Sequence, residues 1–189
     1  MFRLALFASG SGTNVQNICE YFQNHNSIKP EIVLSDKEDA YALERAKHLN
    51  VKSEYFNYIT TSSEVLLEKI KDRKVTHIIL AGYLRLVPSK IIKTFKNKIL
   101  NIHPSLLPKF GGKGFYGHHV HKSVLESNEE ESGITIHLVN EKYDEGKILF
   151  QKSTPIFDND DVASLSSRIH NLEYKYYPQI IEKYLLNQL

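Results

Sequence analysis

Near its amino terminus the chain reads Leu4-Ala5-Leu6-Phe7-Ala8-Ser9-Gly10-Ser11-Gly12-Thr13-Asn14. The first five of these residues are apolar and predict a buried strand. A glycine-rich turn follows the strand, and a helical pattern begins where the turn ends. A strand, a glycine turn and a helix in this order are typical of the first unit of an α/β fold.

The same alternation of apolar runs and helical patterns continues along the first half of the chain. The predicted strands are residues 4–8, 31–34, 77–81 and 99–102, and the predicted helices are residues 14–23, 40–49, 63–71 and 88–95. Thr61, followed three residues later by Glu64, predicts a capping box before the third helix. Alternation on this scale predicts a mostly parallel sheet with right-handed crossovers.

The second half of the chain has a different pattern. Residues 108–117 contain four glycines and are too irregular for a helix or a strand. Two further strands are predicted at residues 134–139 and 148–152. A long carboxy-terminal helix is predicted at residues 162–186, after acidic N-cap residues at 158–161, and Pro178 should kink or split it. No linker or repeat interrupts the chain, so a single domain is predicted over residues 1–189.

Composition limits the kinds of function that the chain can have. The 24 Lys and Arg residues nearly balance 22 Asp and Glu residues, and no long basic block occurs, so we expect no nucleic-acid partner. The single cysteine, Cys19, excludes an internal disulfide framework and fits a reducing compartment. No signal peptide and no apolar run of about 20 residues is present, so we expect a cytoplasmic protein without a membrane contact.

A second motif carries most of the chemistry, and it reads Asn101-Ile102-His103-Pro104-Ser105-Leu106-Leu107-Pro108. Because alternate side chains of a strand share a face, Asn101 and His103 are expected to point the same way. The two prolines should end the strand and stiffen the exit loop. An amide donor beside an imidazole at a strand end suits the stabilisation of an oxyanion. A polar strand terminus with two turn prolines is the alternative interpretation.

Two further polar residues lie downstream. His137 occurs in the alternating segment 134–139, and Asp144 occurs in the loop that follows. Alone, a strand histidine is more often a core residue and Asp-Glu-Gly is more often a turn. Together with Asn101 and His103, they supply the acid, base and oxyanion donor that acyl transfer to an amine requires.

Two other features suggest ligands. The glycine turn at residues 9–14 offers backbone N–H groups and the positive end of a helix, which suit an anion. Val15 breaks the dinucleotide signature, so a mononucleotide-sized phosphate fits better, and a purely structural turn is an equally good interpretation. His118, His119 and His121 suggest zinc, but no cysteine or H-E-x-x-H accompanies them, and we predict no metal.

Several separated motifs, taken together, resemble the phosphoribosylglycinamide formyltransferase family. They are Gly10-Ser11-Gly12-Thr13-Asn14, Leu43-Glu44-Arg45-Ala46, Leu80-Ala81-Gly82-Tyr83-Leu84-Arg85, the motif at 101–108, Ser132-Gly133-Ile134-Thr135-Ile136-His137, and Asp144. The resemblance covers essentially the whole chain and implies a Rossmann-like three-layer α/β fold. It also implies formyl transfer from the co-substrate 10-formyltetrahydrofolate to the amine of glycinamide ribonucleotide in de novo purine biosynthesis, by direct attack through a tetrahedral intermediate.

The resemblance implies a role for each polar residue of the motif set. Asn101 would donate to the oxyanion. A protonated His103 would stabilise the same charge and help to protonate the departing folate nitrogen. Asp144 would hold His103 and accept protons through an ordered water, and His137 would complete the polar network.

The resemblance also implies the binding residues. The N–H groups of Gly12, Thr13 and Asn14 would bind the substrate phosphate. Glu173 and His170 would bind the substrate near its glycinamide end, although spacing alone also allows Glu173 a solvated helix face. The folate pocket would be lined by Arg85, Leu86, Val87, Val139 and Asn140. The partners would be two small molecules, and the chain would be a monomer or a homodimer.

Two departures from the family pattern occur. The loop at residues 110–117 is lengthened and leads to His119 and His121, and we expect it to act as a mobile lid. Some relatives use an arginine near residues 59–64 for the phosphate, where this chain offers Thr60 and Thr61 or leaves the role to a lysine elsewhere.

Other functions remain as alternatives. A formyltetrahydrofolate deformylase usually has an added amino-terminal domain, and a methionyl-tRNA formyltransferase an added carboxy-terminal barrel; the extent of this sequence is expected to exclude both. A formyltransferase for amino-sugar nucleotides would not need the glycine turn. A non-catalytic nucleotide- or folate-binding module on the same scaffold would not need Asn101, His103 and Asp144.

Overall fold

The computed structural model describes all 189 residues, as seven strands and six helices. In chain order these are β1 (Phe2–Ala8), α1 (Thr13–Tyr21), β2 (Ile28–Ser35), α2 (Tyr41–His48), β3 (Lys52–Tyr55), α3 (Ser63–Asp72), β4 (His77–Leu80), α4 (Ser89–Thr94), β5 (Ile99–His103), α5 (His118–Leu125), β6 (Glu131–Leu138), β7 (Ile148–Pro155) and α6 (Val162–Leu185). Every predicted strand and helix is present. The structure adds β3 and α5, which were not predicted.

The seven strands form one sheet in the order β3-β2-β1-β4-β5-β6-β7. The pairs β1–β2, β1–β4 and β2–β3 are parallel, whereas β6 and β7 are antiparallel. Helices cover both faces of the sheet. The prediction of a three-layer α/β fold with a mostly parallel sheet and a long last helix is therefore confirmed.

Residues 1–100 form one of two compact units. Its centre is β1, whose residues 4–8 are completely buried because the strand has neighbours on both edges and helices on its faces. From β1 the sheet extends along one edge through β2 and β3. The chain then returns, and β4 pairs with the opposite edge of β1. Ligands of open α/β sheets bind where the strand order reverses in this way, beyond the carboxyl ends of the strands.

Residues 101–189 form the second compact unit. Its strands β6 and β7 pair from Glu131–Pro155 to His137–Ile148. Helix α6 begins with a capping box, in which the Asp161 carboxylate accepts from the N–H of Ser164 at 2.7 Å and the Ser164 hydroxyl accepts from the N–H of Asp161 at 3.0 Å. The acidic N-cap prediction at 158–161 is thus confirmed.

One local prediction was wrong, and one alternative of another was wrong. The cap of α3 is Ser62, whose hydroxyl accepts from the N–H of Val65 at 3.3 Å, and not Thr61. Helix α6 continues through Pro178, so the proline does not split it, and a kink stays a prediction. None of the six helices combines the length and the apolar character that a membrane crossing requires.

Candidate active site

Four polar side chains meet in the second unit, at the end of β5 and in the loop after β6. Nδ2 of Asn101 donates to Oδ1 of Asp144 at 3.5 Å, and Nδ1 of His103 lies 3.5 Å from Oδ2 of Asp144. Nε2 of His137 lies 3.6 Å from Oδ1 of Asp144 and 3.1 Å from Nδ2 of Asn101. Asn101 and His103 therefore reach the same carboxylate, as side chains two apart on a strand can do.

A backbone carbonyl accepts from one ring nitrogen of each histidine. Nδ1 of His137 donates to the carbonyl oxygen of Leu138 at 2.8 Å, and Nε2 faces both Asn101 and the Asp144 carboxylate. Nε2 of His103 donates to the carbonyl oxygen of Phe110 at 2.7 Å. Nδ1 of His103 then faces the Asp144 carboxylate. In the doubly protonated imidazolium, both N–H groups would therefore have an acceptor, Asp144 at Nδ1 and the Phe110 carbonyl at Nε2.

The glycine-rich loop contributes directly to this cluster. The N–H of Gly112 donates to Oδ2 of Asp144 at 2.9 Å, beside the bond from His103 to Phe110. Gly111 packs so closely that an added Cβ would collide with the Leu107 side chain and lie 3.4 Å from Cβ of Asp144. The start of the lengthened loop is thus built into the cluster.

Burial and charge act against each other at the two central groups. Burial raises the pKa of Asp144, but the His137 hydrogen bond, the charge of His103 and the Gly112 N–H outweigh it, and the net pKa lies below its ordinary value. Burial lowers the pKa of His103, and this effect exceeds the opposing influence of Asp144 and of the Phe110 carbonyl. The net pKa of His103 therefore lies below its ordinary value, although the Asp144 carboxylate opposes the effect of burial.

A buried hydroxyl holds the chain where it leaves β5. Oγ1 of Thr135 donates to the carbonyl oxygen of Ser105 at 2.6 Å and accepts from the N–H of Leu107 at 3.0 Å. Nε2 of Gln151 reaches both Thr135 at 2.9 Å and the carbonyl of Leu107 at 3.0 Å. These bonds fix the exit loop, and with it the end of the strand that carries His103.

The predicted phosphate turn lies in the first unit. The N–H of Gln16 donates to the carbonyl oxygen of Gly12 at 2.9 Å, which is the first hydrogen bond of α1, so residues 12–14 lie at the amino-terminal end of this helix. Gly12 has a φ of 73° and packs against Ala42, with which any Cβ would collide. Only glycine fits this position without strain.

Arg45 holds the same turn from α2. Its Nε donates to the carbonyl oxygen of Ser11 at 2.8 Å, and its Nη1 donates to Oε1 of Gln16. Its guanidinium carbon lies 4.8 Å from the ring centroid of Tyr41. Sequence reasoning quoted Arg45 only as part of a motif and gave it no role.

The predicted folate residues fall in both units. In the first unit Arg85 is exposed, Leu86 is half-buried, and Val87 belongs to the core with 2% exposure, so only the backbone of Val87 could line a pocket. The Tyr58 hydroxyl donates to the carbonyl of Leu86 at 3.3 Å. In the second unit Val139 and Asn140 are half-buried and follow β6.

Residues predicted near the glycinamide end lie on α6. Glu173 is buried, with 6% exposure, so the solvated-face interpretation is wrong. His170 is exposed and its ring stacks on Tyr174 at 6.0 Å. His121 is buried on α5 with no partner for Nδ1, and burial followed by the charges of His170 and His103 lowers its pKa to about 4.

No group of three or more His, Cys, Asp or Glu side chains is arranged to hold a metal ion. Cys19 is buried, and burial raises its pKa to about 12. A buried carboxylate was missed by sequence reasoning: Asp36, directly after β2, accepts from the Ser9 hydroxyl at 2.5 Å. Its position after a buried strand was the signal available.

A family model described as formyl transferase matches residues 2–181. The chain therefore belongs to the formyl transferase family. It is 39% identical over 189 residues to the chloroplastic phosphoribosylglycinamide formyltransferase of Arabidopsis thaliana, covering 95% of this chain and 64% of that protein. It is 34% identical over 191 residues to the phosphoribosylglycinamide formyltransferase of Bacillus subtilis, covering 98% of this chain and 95% of that protein.

A solved structure shows the same likeness. The crystal structure of glycinamide ribonucleotide transformylase 1 from Symbiobacterium toebii superposes with a TM-score of 0.88 at 36% identity, covering 96% of this chain and 86% of that chain. The present chain spans just under two thirds of the Arabidopsis relative.

Proposed function

We propose that the protein transfers the formyl group of 10-formyltetrahydrofolate to the amine of glycinamide ribonucleotide in de novo purine biosynthesis. The observation that carries this proposal is the meeting of Asn101, His103 and His137 on the Asp144 carboxylate. A binding module would have no use for such a cluster. The choice of substrates is supported by two relatives, each of which is named a phosphoribosylglycinamide formyltransferase.

The reaction follows from the chemistry of the two substrates. The amine attacks the formyl carbon, and a C–N bond forms while the carbonyl oxygen becomes an oxyanion. Asn101 donates an N–H to that oxygen, and His103 supplies positive charge beside it. When the bond to the folate nitrogen breaks, the imidazolium of His103 gives that nitrogen a proton, and the proton that the attacking amine loses replaces it through Asp144, which faces Nδ1 of His103, so the protons balance. Asp144 receives the amine proton through a water, and His137 holds Asn101 in place.

The charge of His103 develops during the reaction. Burial favours the neutral imidazole, but an adjacent oxyanion favours the imidazolium, as any opposite charge does within a few ångströms. Nε2 must leave the Phe110 carbonyl to reach the oxyanion. The lengthened loop at 110–117 therefore acts as a lid whose movement releases His103, which is the role that we propose for it.

The binding groups are proposed as follows. Residues 12–14 bind the phosphate, Glu173 and His170 bind the ribonucleotide near its amine, and the folate lies against a set of five residues: Arg85, Leu86, Val87, Val139 and Asn140. Residues 1–189 act as a single formyltransferase domain, with the phosphate site in the amino-terminal part and the folate site and catalytic residues in the carboxy-terminal part. We place this monomer or homodimer in the cytoplasm, because its one cysteine fits a reducing compartment.

A formyl-transfer assay tests the proposal. Purified protein and 10-formyltetrahydrofolate are followed with and without glycinamide ribonucleotide. Turnover that requires the ribonucleotide and yields its formylated product is the expected result. Release of free formate without the ribonucleotide would indicate a deformylase, and no turnover in either mixture would favour a binding module.

A further inference from the structure

A buried carboxylate links three neighbouring strand ends in the first unit. Oδ1 of Asp36, after β2, accepts from the hydroxyl of Ser9, after β1, at 2.5 Å. Oδ2 of Asp36 accepts from Nε of Arg85, in the segment after β4, at 3.2 Å. The Asp36 side chain has 0% exposure, so these partners take the place of water around its charge.

Ser9 extends the link to the backbone after β4. Its hydroxyl oxygen accepts from the N–H of Leu84 at 3.0 Å, so the hydroxyl proton is directed to Asp36. The backbone N–H of Ser9 donates to the carbonyl of Gly82 at 2.9 Å, and this second bond does not involve Asp36. Ser9 is therefore held by Gly82 through its backbone and by Asp36 through its side chain. The N–H of Leu84, in contrast, is bound by the Ser9 hydroxyl that Asp36 orients.

We propose that Asp36 is a positioning residue for the folate substrate. Through Ser9 and Arg85 it sets the place of Leu84 and Arg85, where the segment 85–87 that we have proposed for folate binding begins, and the inference rests on that proposed function. Asp36 itself touches neither substrate in this account. The ring of Tyr58 also packs against Arg85, and its centroid lies 5.3 Å from the guanidinium carbon.

Both oxygens of Asp36 act only as acceptors, and this is what asparagine cannot reproduce. An amide keeps one acceptor and places an NH₂ donor against either the Ser9 hydroxyl or Nε of Arg85. The Asp36→Asn variant therefore keeps the shape of the side chain but loses one charge-assisted bond. Such a bond contributes enough to change affinity by about tenfold.

The test compares three variants with the wild type in the formyl-transfer assay. We expect Asp36→Asn to raise the KM for 10-formyltetrahydrofolate about tenfold, with kcat and the KM for the ribonucleotide within about twofold. Ser9→Ala should act in the same direction, and the double variant should be no worse than the more severe single one, because both remove the same link. Glu31→Gln is the matched control, since Glu31 lies in β2, the strand that precedes Asp36, and the change removes its ion pair with Arg3 at 2.7 Å.

Each outcome decides something different. A rise in the folate KM for Asp36→Asn but not for Glu31→Gln supports the inference. Equal rises in both KM values, or a lower unfolding midpoint with unchanged KM values, would show a merely structural role and overturn it. If the wild type gives no turnover, the proposed function fails, and titration with tetrahydrofolate then decides: binding weakened by Asp36→Asn upholds the positioning role, and unchanged or absent binding rejects it.

Discussion

The imidazole of His103 lies with its Nδ1 3.5 Å from Oδ2 of Asp144, while its Nε2 donates to the carbonyl oxygen of Phe110. The ring is therefore oriented from both sides before any substrate charge exists. Asp144 is fixed in turn by the N–H of Gly112 and adopts a φ of 56°, a left-handed conformation that aspartate tolerates better than most residues. The orientation of His103 and Asp144 is therefore set by backbone groups of the loop that contains Phe110 and Gly112 and by the backbone conformation of Asp144 itself.

Replacement of Asp144 by asparagine should lower kcat by about 10²- to 10⁴-fold, because both the orientation of His103 and the final proton acceptor are lost. The KM for the ribonucleotide should stay within about threefold of the wild-type value. Steady-state kinetics with both substrates varied provides the measurement. Glu145→Gln serves as the control, since Glu145 is the exposed neighbour that pairs with Lys142 at 3.0 Å. Equal losses in the two variants would contradict the role of Asp144.

Replacement of Gly12 by alanine should raise the KM for the ribonucleotide by at least about tenfold, because the added Cβ collides with Ala42 and the φ of 73° disfavours any side chain. Gly10→Ala is the matched control, since nothing lies within 4 Å of the position that its Cβ would occupy. A titration with the ribonucleotide compares the two variants. Normal affinity in Gly12→Ala would place the phosphate elsewhere.

Loss of Arg45 should loosen the phosphate turn without touching the chemistry. Arg45→Gln removes the bond to the carbonyl of Ser11, and we expect the KM for the ribonucleotide to rise about fivefold while kcat is unchanged. Lys47→Gln controls for the loss of a positive charge on the same helix, because Lys47 is exposed and pairs only with Glu44. A fall in kcat with no change in KM would reject this role.

Sequence reasoning succeeded where a local pattern decides the structure. The apolar run at residues 4–8 could only be a buried strand, and the spacing of Asn101 and His103 placed both on one face. Edge strand β3 was missed because Lys-Ser-Glu-Tyr at 52–55 contains no apolar run, as an exposed edge does not require one. Helix α5 was missed because one of its three buried positions is a histidine, His121, so the segment has no clear apolar periodicity.

The remaining differences arise from tertiary contacts that no local pattern reports. The link between Asp36 and Arg85 joins residues 49 positions apart, and the contact of Gly112 with Asp144 joins residues 32 positions apart. The net effect on the pKa of His103 depends on how much burial outweighs the carboxylate, which sequence spacing cannot give. Geometry was therefore needed to find the contacts of Asp36 and Gly112, although the side chains that meet at Asp144 were predictable as a set.

Stability should fall as the solution becomes acidic, partly because of His121. Its pKa is about 4 in the folded protein against 6.5 for an unburied histidine, so the unfolded chain binds the proton first as the pH falls from 7 towards 4. The free energy of unfolding should drop over this window by on the order of 2 kcal/mol from this residue. In His121→Leu, denaturant titrations at pH 7 and pH 4.5 should show a smaller drop. The exposed His48→Leu variant is the control, and equal drops in both variants and the wild type would exclude the effect.

The central claim is that one formyl group passes between the two substrates within this protein. The most direct measurement follows a carbon label in the formyl group of 10-formyltetrahydrofolate during a single turnover with glycinamide ribonucleotide, in the wild type and in His103→Ala. We expect the label to appear on the ribonucleotide amine with the wild type and this transfer to collapse in the variant, while the ribonucleotide still binds. Label recovered as free formate, or undiminished transfer by His103→Ala, would contradict it.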